Sequence, residues 1–385
     1  MLCIPFSGCN SQEENQMIVG ANRTTTYLPY LKGKNIAVVA NPTSVIFKTN
    51  DHAQGHTHLV DSLLSLGVNI SKVFSPEHGF RGNVDAGEKV ADDIDPTSGI
   101  PIVSLYGKQR KPAPESLEDI DLVLFDIQDV GVRFYTYIAT LQLVMQACGA
   151  AEVPLFVLDR PNPNIDYVDG PMMETEHSSF LGMTPIPLVY GMTIGEYASM
   201  INTETGWLGT EKHPALSVVG LKNYNRNTSY SLPIRPSPNL PNDQSIALYP
   251  SLGLFEGTTI NAGRGTEAQF TRFGAPDLSK ELPFSYTPKP NFGAKYPKHN
   301  GEICYGKDLS NIKPPRAVDL KWLIEAYKKS NKKEQFFLTS GFTKHAGNET
   351  LQKQIEAGMT AVEIRESWQE DLEAFKAIRA KYLRY

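Results

Sequence analysis

The chain has 385 residues, 41% of them hydrophobic and 21% charged, which is the balance of a folded globular protein of about two domains. Its net charge is −5, from 37 basic and 42 acidic residues, so no electrostatic case exists for a nucleic-acid partner. No apolar run reaches the roughly 18 residues that cross a bilayer, and the four cysteines (Cys3, Cys9, Cys148 and Cys304) form neither a disulfide framework nor a C-x-x-C pair.

Residues 1–24 differ from the rest and read as a leader or tether. Phe6-Ser7-Gly8-Cys9 resembles a lipobox, with a small residue before a cysteine that receives lipid. Only eight residues precede Cys9 and none is basic, so either the start lies upstream or Cys9 is an ordinary cysteine.

Residues 25–235 read as one α/β domain. Asn35–Ala40 is a short apolar run between glycine and proline, the pattern of a strand buried on both faces. Residues 58–66 have helical apolar spacing and end at Gly67. Further strands are expected at 73–74, 102–106, 121–126 and 155–159, with a helix over 134–148. Thr193-Ile194-Gly195-Glu196 fits a capping box and predicts a helix to about Asn202. Buried strands alternating with amphipathic helices imply a parallel sheet with helices on both faces.

Pro233, Pro236, Pro238 and Pro241 then break regular structure. The domain boundary is placed there, leaving 236–385 as a smaller C-terminal domain that completes a cleft. Its clearest elements are helices over 318–329, 348–356 and 367–382, with a second capping box at Thr360-Ala361-Val362-Glu363.

Polar residues gather just after the predicted strands. In a parallel sheet all strand ends share one edge, and ligands bind there. Glu77, His78, Asp126, Gln128, Asp129, Arg133, Asp159, Arg160 and Asn162 are therefore expected on one polar rim. Each taken alone could equally cap a helix or anchor a loop. No G-x-x-x-x-G-K-[ST], no G-x-G-x-x-G after the first strand and no G-x-S-x-G is present, so the usual phosphate grips and the serine elbow are missing. His52, His56 and His58 crowd before a helix without H-E-x-x-H or acids at ligand spacing, so no metal and no cofactor is expected.

Glu77 is the first choice for a catalytic acid, because Pro76 and Gly79 predict a tight turn that projects it over the cleft. His78 can orient it. Asp126 and Asp129 are candidate second carboxylates of the pair that glycoside hydrolysis needs. The alternative for Glu77 is a salt bridge to Arg81. Farther on, Glu256 precedes Asn261-Ala262-Gly263-Arg264-Gly265-Thr266, where glycines on both sides free the Arg264 guanidinium to bind a carboxylate. The alternative is an arginine that merely holds its loop.

Ser75-Pro76-Glu77-His78-Gly79-Phe80-Arg81-Gly82, Phe125 to Tyr137, Asp159-Arg160-Pro161-Asn162-Pro163, Pro236-Ser237-Pro238-Asn239 and Gly263-Arg264-Gly265-Thr266 together resemble the exo-β-N-acetylmuramidase family (NamZ type, glycoside hydrolase family 171). The resemblance runs from about Gly33 to Tyr385. It implies a Rossmann-like domain plus a smaller α+β C-terminal domain with the cleft between them, and exo-release of N-acetylmuramic acid from peptidoglycan fragments. It maps the catalytic glutamate onto Glu77. Asn41, Arg81, Gln128, Arg133, Tyr135, Arg160, Asn162, Glu256 and Arg264 are then the expected substrate contacts, with Arg264 or Arg160 on the lactyl carboxylate. It also implies a periplasmic or envelope location, to which the lipobox-like segment would add membrane anchoring through a lipid on Cys9 if that cysteine is not an ordinary one; the competing reading is a cytoplasmic chain. Two departures stand out: Tyr190-Gly191-Met192-Thr193 where relatives read H-G-M-T, and Asn261-Ala262 where many read S-E or S-V. The rival functions are a non-catalytic muropeptide-binding protein of the envelope and a nucleotide- or metal-dependent enzyme.

Overall fold

The computed structural model describes residues 16–49, 51–82, 93–278, 280 and 282–385. Cys9 and its lipobox lie outside them. A short helix α1 (Thr24–Leu31) leads into β1 (Asn35–Ala40). An antiparallel pair, β2 (Val45–Phe47) and β3 (His56–His58), precedes α2 (Leu59–Ser65) and β4 (Asn69–Ser75). Then come β5 (Asp93–Ile94), β6 (Pro101–Ser104), β7 (Leu122–Asp126), α3 (Tyr137–Ala151) and β8 (Leu155–Leu158). A second pair, β9 (Asp169–Met172) and β10 (Pro187–Val189), is followed by α4 (Ile194–Thr203) and β11 (Leu216–Val219).

Seven strands form the main sheet in the order β11-β8-β7-β1-β4-β6-β5, parallel except for β5. In chain order its six parallel strands run 3-2-1-4-5-6 across the sheet, the Rossmann arrangement, with the switch point between β1 and β7. Alternation along β1 shows why both faces are buried. Ala37 and Val39 join the apolar cluster that holds α3 and α4, while Ile36, Val38 and Ala40 join the one that holds α1 and α2.

The expected helix over 134–148 begins three residues late, at Tyr137. The preceding backbone is diverted: Val132 pairs with Val189, and the Arg133 N–H donates to the Leu188 carbonyl at 2.8 Å. Strand β11 falls where the sequence reads as loop. Both capping boxes form, at Thr193 with Glu196 and at Thr360 with Glu363.

The C-terminal half starts with α5 (Asp243–Leu252). It carries a three-stranded antiparallel sheet of β12 (Arg272–Ala275), β13 (Phe284–Tyr286) and β14 (Cys304–Asp308) in the order β12-β14-β13. Helices α6 (Lys321–Lys329), α7 (Lys333–Phe336), α8 (Thr339–Ala346), α9 (Thr350–Glu356), α10 (Ala361–Glu366) and α11 (Gln369–Arg379) follow. Among the described residues no helix is long and apolar enough to cross a membrane.

Candidate active site

The turn after β4 is built as its residues dictate. The Gly79 N–H donates to the Pro76 carbonyl at 3.1 Å, closing a four-residue turn with Glu77 at its first corner. His78 at the second corner is left-handed, with φ of 72°, a conformation that costs a non-glycine residue about 1–2 kcal/mol. Its Nε2 lies 3.3 Å from Ser237 Oγ in the proline segment. The turn thus aims Glu77 outward while His78 is tied inward.

Glu77 and His78 face a cavity of about 170 Å³ between the two halves of the chain. From the first half, Phe134, Tyr135, Thr136 and Tyr137 line it; from the second, Ser237, Asn239, Tyr249, Glu256, Arg264 and His345 do. The Glu77 carboxylate is hydrogen-bonded to Tyr106, and burial together with that carboxylate pushes the Tyr106 phenol up to about 12. Across the cavity Arg264 Nη1 pairs with Glu256 Oε2 at 2.7 Å, both side chains about a quarter exposed. Burial works against a charged Glu256, but Arg264, Lys298 and His345 together hold its carboxyl below the usual range. Lys298 Nζ also reaches the carbonyls of Phe255, Glu256 and Thr258 at 2.9, 3.1 and 2.6 Å, fixing the turn that presents Glu256.

Asn261 organises the Arg264 loop: its amide accepts from the Gly263 N–H and donates to the carbonyls of Arg264 and Lys298. His345 Nδ1 lies 2.8 Å from the Gly341 carbonyl, so Nδ1 carries the proton. Burial holds this imidazole, at the cavity wall, below its ordinary pKa.

The expected common rim is not what forms, and several residues placed there or expected to touch substrate need correction. Asp126 is fully buried in a bidentate pair with Arg160, at 2.6 and 2.8 Å, and Arg160 also donates to the Val45 carbonyl. Neither lines the cavity. Arg133 is 1% exposed and spends its guanidinium on four carbonyls, those of Pro171, Ile186, His345 and Ala346. Arg81 bridges Asp61 and Asp95, not substrate and not Glu77. Gln128 donates to the Asp129 and Pro161 carbonyls, and Asn162 to that of Met192. Asp129 is 2% exposed and accepts from the Gly131 N–H and the Tyr190 hydroxyl. Asp159 is fully buried and accepts from Thr193, Gly195 and Tyr385. Asn41 is fully buried; its side chain accepts from Thr43 and contacts the Tyr137 hydroxyl behind the cavity wall.

Tyr135 is the one further residue of the β7–α3 connection on the expected list that does line the cavity, its hydroxyl donating to the Pro236 carbonyl. Of the three histidines near the start, His58 caps α2 and burial lowers its pKa to about 4, while His52 stacks on Phe47. Among the described residues the possible metal-ligand group is Glu174, Glu176 and His177, which lies away from the cavity walls.

Tyr249 and His345 carry no motif. Tyr249 lies in a helix whose other apolar positions are core, and His345 is a lone imidazole on a short helix, so only the fold reveals them.

Comparison with known proteins follows the same outline. The N-terminal domain model of the exo-beta-N-acetylmuramidase NamZ matches residues 36–244, and its C-terminal domain model matches 247–385. The peptidoglycan beta-N-acetylmuramidase NamZ of Bacillus subtilis (strain 168) is 38% identical, with 93% of this chain and 89% of the relative covered. Two crystal structures of DUF1343 family proteins from Bacteroides fragilis superpose with TM-scores of 0.87 and 0.80 at 41% and 28% identity. Each covers 96% of this chain and 99% of its own.

Proposed function

The chain belongs to the NamZ exo-β-N-acetylmuramidase family and is a glycosidase, and within that class we propose that it removes β-linked N-acetylmuramic acid from the non-reducing end of peptidoglycan fragments with Glu77 as general acid. The observation that carries this is the placement of Glu77 on the wall of the cavity between the halves, facing Arg264 and Glu256. The Glu77 proton passes to the bridging oxygen as the bond to the anomeric carbon breaks. Positive charge builds on that carbon and the ring oxygen as the bond stretches; water then adds to the carbon, and the proton it releases passes to solvent or back to the Glu77 carboxylate, which restores the acid.

Neither Asp126 nor Asp129 supports the second role, because each is buried and bonded away from the cavity. Glu256 replaces them in the proposal. It is the other carboxylate lining the cavity among the described residues, and its neighbours keep it charged, which suits stabilisation of the cationic transition state. Of the two arginines considered for the lactyl carboxylate, only Arg264 reaches the cavity. The cavity is small for a ligand site, which favours one terminal sugar with the remaining saccharide outside. A peptidoglycan-derived substrate supports, as part of the same proposal, a location in the periplasm or cell envelope.

The test is Glu77→Gln assayed on the muramic acid–glucosamine disaccharide. The expected loss in kcat is about 10²–10⁴-fold with the fold intact by circular dichroism. Turnover equal to the parent's would remove Glu77 from the proton-donor role.

A further inference from the structure

The strand beside β4 supplies a second side chain to the turn that carries Glu77. β6 runs parallel to β4 with Ser104 opposite Ser75, and the Leu105 N–H donates to the Ser75 carbonyl at 2.8 Å. Glu77 and Tyr106 each stand two residues past these matched serines, so the two strand ends carry them side by side. Tyr106 is fixed by its own backbone: its N–H donates to Ser104 Oγ at 3.2 Å, and Gly107, with φ of +86°, turns the chain away. The Tyr106 hydroxyl is hydrogen-bonded to the Glu77 carboxylate. Tyr137 donates to the Glu77 main-chain carbonyl at 3.3 Å. One tyrosine therefore holds the backbone of the acid and the other its side chain. Arg81, the charged neighbour in sequence, is engaged with Asp61 and Asp95 instead.

Burial, and then the Glu77 carboxylate, push the phenol up to about 12 against the opposing charges of Arg110 and Arg264, so Tyr106 keeps its proton at neutral pH and donates. A protonated carboxyl has one oxygen that carries the proton and one that is free to accept. A phenol donating to the second leaves the proton on the first. The same hydrogen bond strengthens as the proton departs, because its acceptor becomes an anion. It is then stronger in the transition state than in the ground state, which is the condition for accelerating the step. Tyr106 does not itself line the cavity, so it acts without touching the sugar. Resting on the reading of Glu77 given above, we infer that Tyr106 is the positioning residue of the general acid: it holds one carboxyl oxygen so that the proton sits on the other, and it stabilises the carboxylate left when that proton has gone to the bridging oxygen.

The test uses two substrates that differ in their need for an acid. The muramic acid–glucosamine disaccharide has a basic leaving oxygen that must be protonated. The dinitrophenyl glycoside of N-acetylmuramic acid has a leaving oxygen acidic enough to depart without a proton. Tyr106→Phe, its fold checked by circular dichroism, is expected to lower kcat/KM on the disaccharide about 5–10-fold, with KM within about twofold of the parent's. On the aryl glycoside the loss is expected to be at most about twofold. A merely structural role would lower both substrates in parallel, and a hydroxyl without a role would lower neither; either result overturns the assignment. Should Tyr106→Phe fail to fold, Tyr106→Leu, which also lacks the donor, is expected to show the same split and decides in its place. Glu77→Gln measured alongside separates the two ways of failing. A selective loss there without one in Tyr106→Phe overturns the Tyr106 assignment alone. No selective loss in Glu77→Gln overturns it together with the reading of Glu77.

Discussion

Tyr190 shows how a single substitution is absorbed. Where the family resemblance leads one to expect histidine, this chain places a fully buried tyrosine whose hydroxyl donates to Asp129. The departure therefore bears on the support of Asp129 and not on a sugar contact. Burial raises the Asp129 carboxyl to about 6, with Tyr190 and two backbone N–H groups opposing. The unfolded chain releases that proton near 3.8, so between the two values the native state holds more protons and stability falls as pH rises. A gap of about two units corresponds to about 3 kcal/mol. Asp129→Asn has nothing to titrate there. Its stability relative to the parent is expected to rise by about 2 kcal/mol from pH 4 to pH 7, read from urea midpoints at several pH values. A difference that stays flat across that range would show that Asp129 is not held protonated. In the sequence Glu77 was legible because proline and glycine bracket it at a strand end. Asp126 was not, because its partner Arg160 sits in another strand–loop junction and only folding reveals the pair.

Elements, more than residues, explain why the strand ends do not share one cleft. The strands and helices follow from apolar periodicity and both capping boxes from a Thr-x-x-Glu spacing, which are local signals; strand order is not local and appears only in the fold. What covers the sheet edge is not local either. Tyr230, Leu232, Pro233 and Ile234 pack over Thr43, Gln128 and Arg160 at the switch point and leave a hollow of only about 10 Å³, roughly one water. The ligand crevice is displaced toward β4 and the β7–α3 connection, where α8 supplies the opposite wall. Arg133 caps the carbonyl end of α8 through His345 and Ala346, and Gly347 ends the helix with φ of +83°. A Cβ on Gly347 would stand 2.5 Å from Arg133 Nη2 and 2.9 Å from Met173 Cα. Gly347→Ala is expected to cost at least about 2 kcal/mol, the left-handed backbone supplying half or more. Because His345, two residues upstream, lines the cavity, KM is expected to rise while kcat holds. Thermal unfolding and steady-state kinetics check both, and an unchanged Tm would refute the strain argument.

At the scale of the whole molecule, the proline segment divides the sequence but not the core. One contiguous apolar cluster contains Phe74, Phe125 and Leu141 from the first half together with Phe255, Phe273, Trp322, Phe342 and Phe375 from the second. The end of the chain also returns to the first half. Tyr385 donates to Asp159, the Arg384 N–H to Glu196, and Lys381 pairs with Glu204. A core shared in this way makes either half expose apolar surface if the other unfolds, so the halves should lose structure together. The expected outcome is one urea transition with coincident far-ultraviolet circular dichroism and tryptophan fluorescence. The probes are independent enough to decide, since Trp322 and Trp368 report the second half and Trp207 the first. Replacing Trp207 by Phe leaves fluorescence to the second half alone, and its midpoint should still match that of the dichroism. Two separated midpoints would mean that the shared cluster does not couple the halves, and the cavity between them would then open without global unfolding.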